Sequence, residues 1–216
     1  MKTDKQLGKQ VNKHLLNLGI ETPMSDMPLQ DKDKIDIISK SAKIIMDTLG
    51  LDLTDDSLID TPNRIAKMYV HELFQGLNYD LFPKCTTVDN KMHYDEMVTI
   101  NNIQVLSTCE HHLITIDGFA TVSYIPGDKV IGLSKINRIV RFFCRRPQIQ
   151  ERLTEQIFHT LSMILNTNDV AVKIKATHYC VKSRGIEDQA SDTTTTKLGG
   201  EFMKPEVRNE FLNLTK

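Results

Sequence analysis

No apolar run in this chain reaches the length needed to cross a bilayer, and Met1-Lys2-Thr3-Asp4-Lys5-Gln6 leads into no signal-peptide core. An excess of one charge is missing as well. Lys plus Arg number 27 against 28 for Asp plus Glu, so no global field favours nucleic acid or a membrane surface. Cysteine is sparse: four in 216 residues form no disulfide framework, and reduced cytosol is the expected compartment. There is no internal repeat, no low-complexity tract and no glycine-rich phosphate loop. What remains is a soluble enzyme-like chain, long enough for one large domain or a domain with a helical annex.

Against this background two short clusters stand out, Cys109-Glu110-His111-His112 and His178-Tyr179-Cys180. They offer two thiols and three imidazoles, borderline-soft donors suited to zinc. From Val170 to Cys180 apolar and polar residues alternate, so a strand would set His178 and Cys180 on one face. Cys109 and His112 are close enough in sequence for one turn to chelate an ion, and Cys180 completes a Cys2His set. Structural zinc normally takes four protein ligands, whereas catalytic zinc takes three and keeps a place for water. His111 and His178 are then left for proton transfer. Three other readings stay open at this point. Cys109 and Cys180 could pair as a disulfide or be inert buried thiols, His178 could be a core histidine, and a fourth ligand from His111 or His178 would close the metal into a non-catalytic module.

Helical spacing dominates the first third. Leu7, Val11, Leu15 and Leu18 form one stripe ending near Gly19. Ile35, Ile38, Ala42, Ile45 and Leu49 form a second, with Gly50 as C-terminal cap. A third helix starts at Asp60-Thr61-Pro62, with Thr61 as N-cap, and runs through Ile65, Met68 and Leu73 to Gly76. From about Met97 the pattern turns to strands: Met97 to Ile100, Ile103 to Thr108, and Ala120 to Ile125. A helix capped by Ser134 stops before Pro147, and another runs from about Gln148 to Leu165. Val170 to Val181 and a segment within Thr193 to Met203 are the last strands. This order predicts an α+β fold, an antiparallel sheet with helices on one face.

One local charge feature breaks the neutral balance. Lys135, Arg138, Arg141, Arg145 and Arg146 are expected on the helix headed by Ser134, with Arg138, Arg141 and Arg145 as a stripe. Cations in a first helical turn oppose the usual preference for acids, which points to an anionic ligand such as phosphate. Arg184 can join it. A merely solvated face is the competing account.

Several blocks together resemble GTP cyclohydrolase I. They are Cys109-Glu110-His111-His112, Gly132-Leu133-Ser134-Lys135-Ile136-Asn137-Arg138, Arg146-Pro147-Gln148-Ile149-Gln150-Glu151-Arg152 and His178-Tyr179-Cys180. The resemblance extends through Asp60-Thr61-Pro62-Asn63-Arg64-Ile65-Ala66 and Thr193-Thr194-Thr195-Thr196-Lys197-Leu198-Gly199-Gly200, and so covers the chain from about residue 30. It implies a helical region over 1–95 and a catalytic domain of the tunnelling fold over 96–216. It further implies a cytoplasmic homodecamer of two stacked five-membered rings, and conversion of GTP to formate and 7,8-dihydroneopterin triphosphate, the first step towards folate and other pterins. By the same resemblance the Zn2+ ligands are Cys109, His112 and Cys180, and His178 and His111 are the acid/base pair. Glu151 and the Gln150 backbone read guanine. Ser134, Lys135, Arg138, Arg184 and Arg64 meet ribose and triphosphate. Another tunnelling-fold enzyme acting on a pterin or deazapurine would share the sheet and the purine-reading Glu, but not these zinc and triphosphate blocks.

Overall fold

The computed structural model describes residues 2–25 and 29–214. It forms two compact units, Met1–Thr22 with Gly76–Lys216, and Pro23–Gln75. This division departs from the expected boundary at residue 95. The first helix, α1 (Lys5–Asn17), buries Val11 and Leu15 in the same core as the sheet, and Asp4 caps it by accepting the Leu7 N–H at 3.0 Å. Leu18, expected on that buried stripe, lies beyond the last turn and is exposed.

The Pro23–Gln75 unit holds α2 (Asp31–Thr48) and α3 (Thr61–Met68), the latter continuing as a π-helical turn over Tyr69–Leu73. α2 buries Ala42 and Met46, leaving Ile45 and Leu49 exposed. From Ala42 a helical stripe can continue at i+3 or i+4, and the fourth residue is the one that turns inward. Gly50 closes the helix at φ +79°, a left-handed C-cap that glycine adopts without steric cost, and the Leu51 N–H reaches back to the Met46 carbonyl at 3.1 Å. At the start of α3, Asp60 occupies the cap position and Thr61 is already helical.

In the larger unit a five-stranded sheet runs in the order β5-β2-β3-β6-β7. Its strands are β2 (Val98–Cys109), β3 (Thr115–Tyr124), β5 (Pro147–Gln148), β6 (Val170–His178) and β7 (Thr193–Leu198). All pairings are antiparallel except the short β2–β5 contact. A separate ribbon pairs β1 (Thr87–Asp89) with β4 (Lys129–Ile131). The segments expected at 97–100 and 103–108 are one strand, interrupted by a register shift between Ile100 and Ile103 where Asn102 takes φ +56°.

Two helices, α4 (Leu133–Cys144) and α5 (Gln150–Leu165), pack on the sheet. Ile136, Ile139, Val140 and Phe143 of α4 and Leu153, Ile157 and Leu161 of α5 share one core with Val105, Ala120, Val122, Val172 and Ile174. The α+β expectation holds. A four-residue helix, α6 (Tyr179–Lys182), follows β6 directly, and α7 (Pro205–Leu214) closes a small second cluster through Phe202 and Phe211. No helix among the described residues is long and apolar enough to cross a membrane.

Candidate active site

The first cluster is the β2–β3 hairpin loop. Cys109 is the last residue of β2; its N–H donates to the Ile114 carbonyl at 2.8 Å, and its carbonyl accepts from the Leu113 N–H at 2.9 Å. Closing so tight a loop puts Leu113 at φ +52°, a left-handed conformation costly for a residue with a Cβ. Two contacts clamp the loop. The Glu110 N–H donates to the Gln148 carbonyl at 2.9 Å, and Arg152 on α5 grips the Glu110 carboxylate at 2.6 and 3.4 Å. The Arg152 pairing has no signal in sequence periodicity, although both partners stand inside recognised blocks.

The second cluster departs from the strand expectation. β6 ends at His178, opposite Ile116 of β3, and the chain then turns into α6, so Cys180 is helical and not on the strand face. The turn nevertheless carries its sulfur to 3.8 Å from Cys109 Sγ. All four cysteines are free, which removes the disulfide reading. One ligand atom each from Cys109, His178 and Cys180 lies within 4.8 Å of the others. Two thiolates about 2.3 Å from a shared tetrahedral zinc stand about 3.8 Å apart, so the sulfur spacing fits that ion. Burial, and next the neighbouring Cys109 sulfur, push the Cys180 thiol above its ordinary pKa.

The other histidines stand differently. His111 Nδ1 is 3.7 Å from Cys109 Sγ. His112 lies outside the tight trio; its Nε2 meets Arg184 Nη1 at 2.6 Å. The geometric trio therefore contains His178 where the resemblance implies His112. Burial lowers the His178 pKa below the usual imidazole value, and the charge of Glu151 opposes that shift. His178 Nε2 is 2.8 Å from Gln150 Oε1. Glu151 follows in the first turn of α5, exposed and free to accept from a ligand.

Cys109, His111, His112, Gln150, Glu151, His178, Cys180 and Arg184 thus gather at one end of the sheet. Ser134, Lys135 and Arg138 do not join them. The Ile131 N–H donates to the Tyr124 hydroxyl at 3.4 Å, which anchors the start of α4 at the Tyr124 end of β3. His178 pairs with Ile116, eight residues away on β3, or about 26 Å at ~3.3 Å per residue. Arg64 belongs to the other unit, where it is exposed and 3.5 Å from Asp60. The basic run is also not one helix face. α4 ends at Cys144, and Arg146 lies beyond it, fully buried against Glu21 at 2.7 Å. Leu133 rather than Ser134 opens α4, with Gly132 at the cap.

A family model for GTP cyclohydrolase I matches residues 38–216. The protein named GTP cyclohydrolase 1 in Shewanella amazonensis is 57% identical over 209 residues, covering 96% of this chain and 97% of that one. Its namesake in Aeromonas salmonicida is 60% identical over 195 residues, covering 90% of this chain and 89% of the other. A solved structure, the archaeosine synthase QueF-Like in the apo form, overlaps 48% of this chain and 93% of its own at 16% identity, with a TM-score of 0.41. With a family match over more than half the chain and relatives this similar along nearly its whole length, the chain belongs to the GTP cyclohydrolase I family.

Proposed function

We propose that this protein opens the imidazole ring of GTP, releases C8 as formate and recloses the remainder as 7,8-dihydroneopterin triphosphate, in the first step towards folate and other pterins. That it is an enzyme of this type follows from its family. The observation that carries the chemistry is one end of the sheet, where two free thiols and an imidazole lie within 4.8 Å beside Glu151. In atoms, one water opens the ring, a second removes the formyl group, and ring closure returns one.

Cys109, His112 and Cys180 would hold zinc, His112 turning from Arg184 to do so. When bound there, zinc supplies Lewis acidity that lets water ionise near neutral pH. His178, whose charged form burial disfavours, exchanges a proton with the purine imidazole nitrogen as C8 becomes tetrahedral, with His111 in support. The Glu151 carboxylate accepts from guanine N1–H and the 2-amino group together, with the Gln150 backbone beside it. Adenine lacks that donor pair and would leave the acceptor unpaired, so it is rejected. A second assignment of the ligands, with His178 in place of His112, is favoured by the tight trio itself.

Ser134, Lys135 and Arg138 meet the triphosphate and ribose from a neighbouring copy, a reading supported by the start of α4 lying at the Tyr124 end of β3, about 26 Å along that strand from Ile116, the partner of His178. Arg184 contributes from the same chain as the thiols, and Arg64 is assigned to the same anionic group. Two sheet edges support such neighbours. Among the described residues β7 has no partner on its outer side, and β2 is paired on its outer side only at Thr108 and Cys109. Edge-to-edge addition of copies is heterologous, the kind of contact that forms a ring when the rotation between copies closes. The assembly inferred is a toroidal decamer of two pentamers of the tunnelling fold, in the cytoplasm, where free thiols persist. Incubating the purified protein with GTP tests the activity: formate and a pterin that fluoresces after oxidation are expected, and GTP left intact by zinc-replete protein overturns it.

A further inference from the structure

We propose that the side chain of Gln150 is a positioning residue that holds His178 in the tautomer protonated on Nε2, leaving Nδ1 as the working atom of the ring. The inference rests on the hydrolytic reading of this site, and it concerns the amide rather than the Gln150 backbone.

The argument is a count of protons. Gln150 is buried, with 1% of its surface exposed, at the first residue of α5. Its Nε2 meets the Ile174 carbonyl at 3.1 Å, the Thr193 carbonyl at 2.9 Å and Thr195 Oγ1 at 3.1 Å. Two of those partners are carbonyls, which only accept, so the NH2 end must face them and the amide cannot be flipped. The hydroxyl contact points the same way. Thr154 Oγ1 spends its one proton on the Gln150 carbonyl at 2.8 Å. In its 2.7 Å contact with Thr195 Oγ1, the Thr154 hydroxyl can then only accept, so Thr195 donates there, and its lone pair shares a Gln150 N–H with a carbonyl, since the NH2 has two protons for three acceptors. Every donor in the chain is thereby directed, and Gln150 Oε1 is left facing His178 Nε2 at 2.8 Å. An amide oxygen only accepts, so a proton sits on His178 Nε2, and in the neutral ring the lone pair is on Nδ1. Strands β6 and β7 supply all three anchors of the amide, so the ring is referenced to the sheet rather than to the exposed hairpin loop.

The test uses the zinc-loaded protein with histidine ring nitrogens labelled by ¹⁵N. NMR of the wild type should find the His178 proton on Nε2; a proton on Nδ1 alone overturns the proposal. Gln150→Leu should lower kcat about 10–100-fold, the usual effect of removing an orienting partner, with zinc content kept and KM for GTP little changed. Unchanged kcat overturns it, and so does a fall confined to KM. Thr195→Val, a milder change in case Gln150→Leu does not fold, should lower kcat in the same direction, and Thr195→Ser should restore it. In a His178→Ala background Gln150→Leu should add nothing, because the amide acts through that ring; a further additive loss assigns Gln150 elsewhere and overturns it. A wild type that leaves GTP intact defeats the hydrolytic reading instead, while the NMR result still decides the tautomer.

Discussion

Cys109 and Cys180 are placed by different devices, a strained hairpin and a four-residue helix, yet their sulfurs meet at 3.8 Å. Cys109→Ser or Cys180→Ser should therefore lose zinc and turnover together. The fold should survive, because the apolar core of the sheet and α4 and α5 does not depend on the ion. Metal analysis and circular dichroism on one preparation check both halves. The same assay separates the two imidazoles: His112→Ala should empty the site, whereas His178→Ala should keep zinc and lose turnover by about 10²–10⁴-fold. Zinc lost with His178 instead would make that residue the ligand. The thiols and imidazoles were legible in the sequence because metal donors are few and their clustering is local. Two features were not: the break after His178 that takes Cys180 off the strand, and the grip of Arg152 on Glu110. Alternating polarity continues through Cys180, and nothing in that alternation marks where a backbone leaves the sheet.

At the scale of elements, α4 starts at the Tyr124 end of β3 and carries Arg138 midway along its length. Arg138→Ala should weaken GTP binding by about ten- to a hundred-fold, at roughly 1.5–3 kcal/mol for one charge-assisted contact, and guanosine far less. Calorimetric titration of both ligands checks it, and equal weakening would assign Arg138 to structure. If the site is shared between copies, mixing and reassembling Arg138→Ala with His178→Ala subunits should recover part of the activity that each has lost. A second consequence belongs to α5 and β7. His159 lies 3.2 Å from Glu155, which also pairs with Lys197 at 3.0 Å. Burial lowers the His159 pKa, Glu155 opposes the shift, and Lys197 and His14 add to it. An imidazole with a depressed folded pKa stabilises the fold above its unfolded value of about 6.5 and loses that contribution as pH falls through the folded pKa. Urea midpoints should drop on acidification below about pH 6.5, and His159→Gln should flatten that slope. The helices were legible because two full turns repeat a stripe, but α2 was misread by one residue where Met46 rather than Ile45 turns inward. Periodicity alone cannot choose between i+3 and i+4.

Across the whole molecule the N-terminal segment is tied to the sheet by one buried cation. Arg146 donates to Glu21 at 2.7 Å and to the Tyr79 hydroxyl at 3.2 Å, also to the Gly76 carbonyl, and its guanidinium sits about 5 Å from the rings of Tyr79, Phe142 and Phe143. Gly76 lies so close to the Phe142 and Arg145 carbonyls that any Cβ there would clash. Removing one partner of a buried pair typically costs 3–5 kcal/mol, so Arg146→Ala should lower the urea midpoint on about that scale. A shift under about 1 kcal/mol would make the pair dispensable. Sequence reading put Arg146 on a solvated or ligand-binding helix, since a lone arginine gives no sign of burial before its partner 125 residues away is known. That separation also bears on synthesis. Ribosomes add about 5–20 residues per second, so Glu21 waits roughly 6–25 s after it is made before Arg146 exists to meet it. Throughout that interval the apolar stripe of α1, Val11 and Leu15, lacks α5 and β6, which complete the core that receives it. The first helix to be translated is thus among the last to dock, and the nascent chain must stay unaggregated with its amino-terminal end unsecured until Arg146 and α5 have emerged.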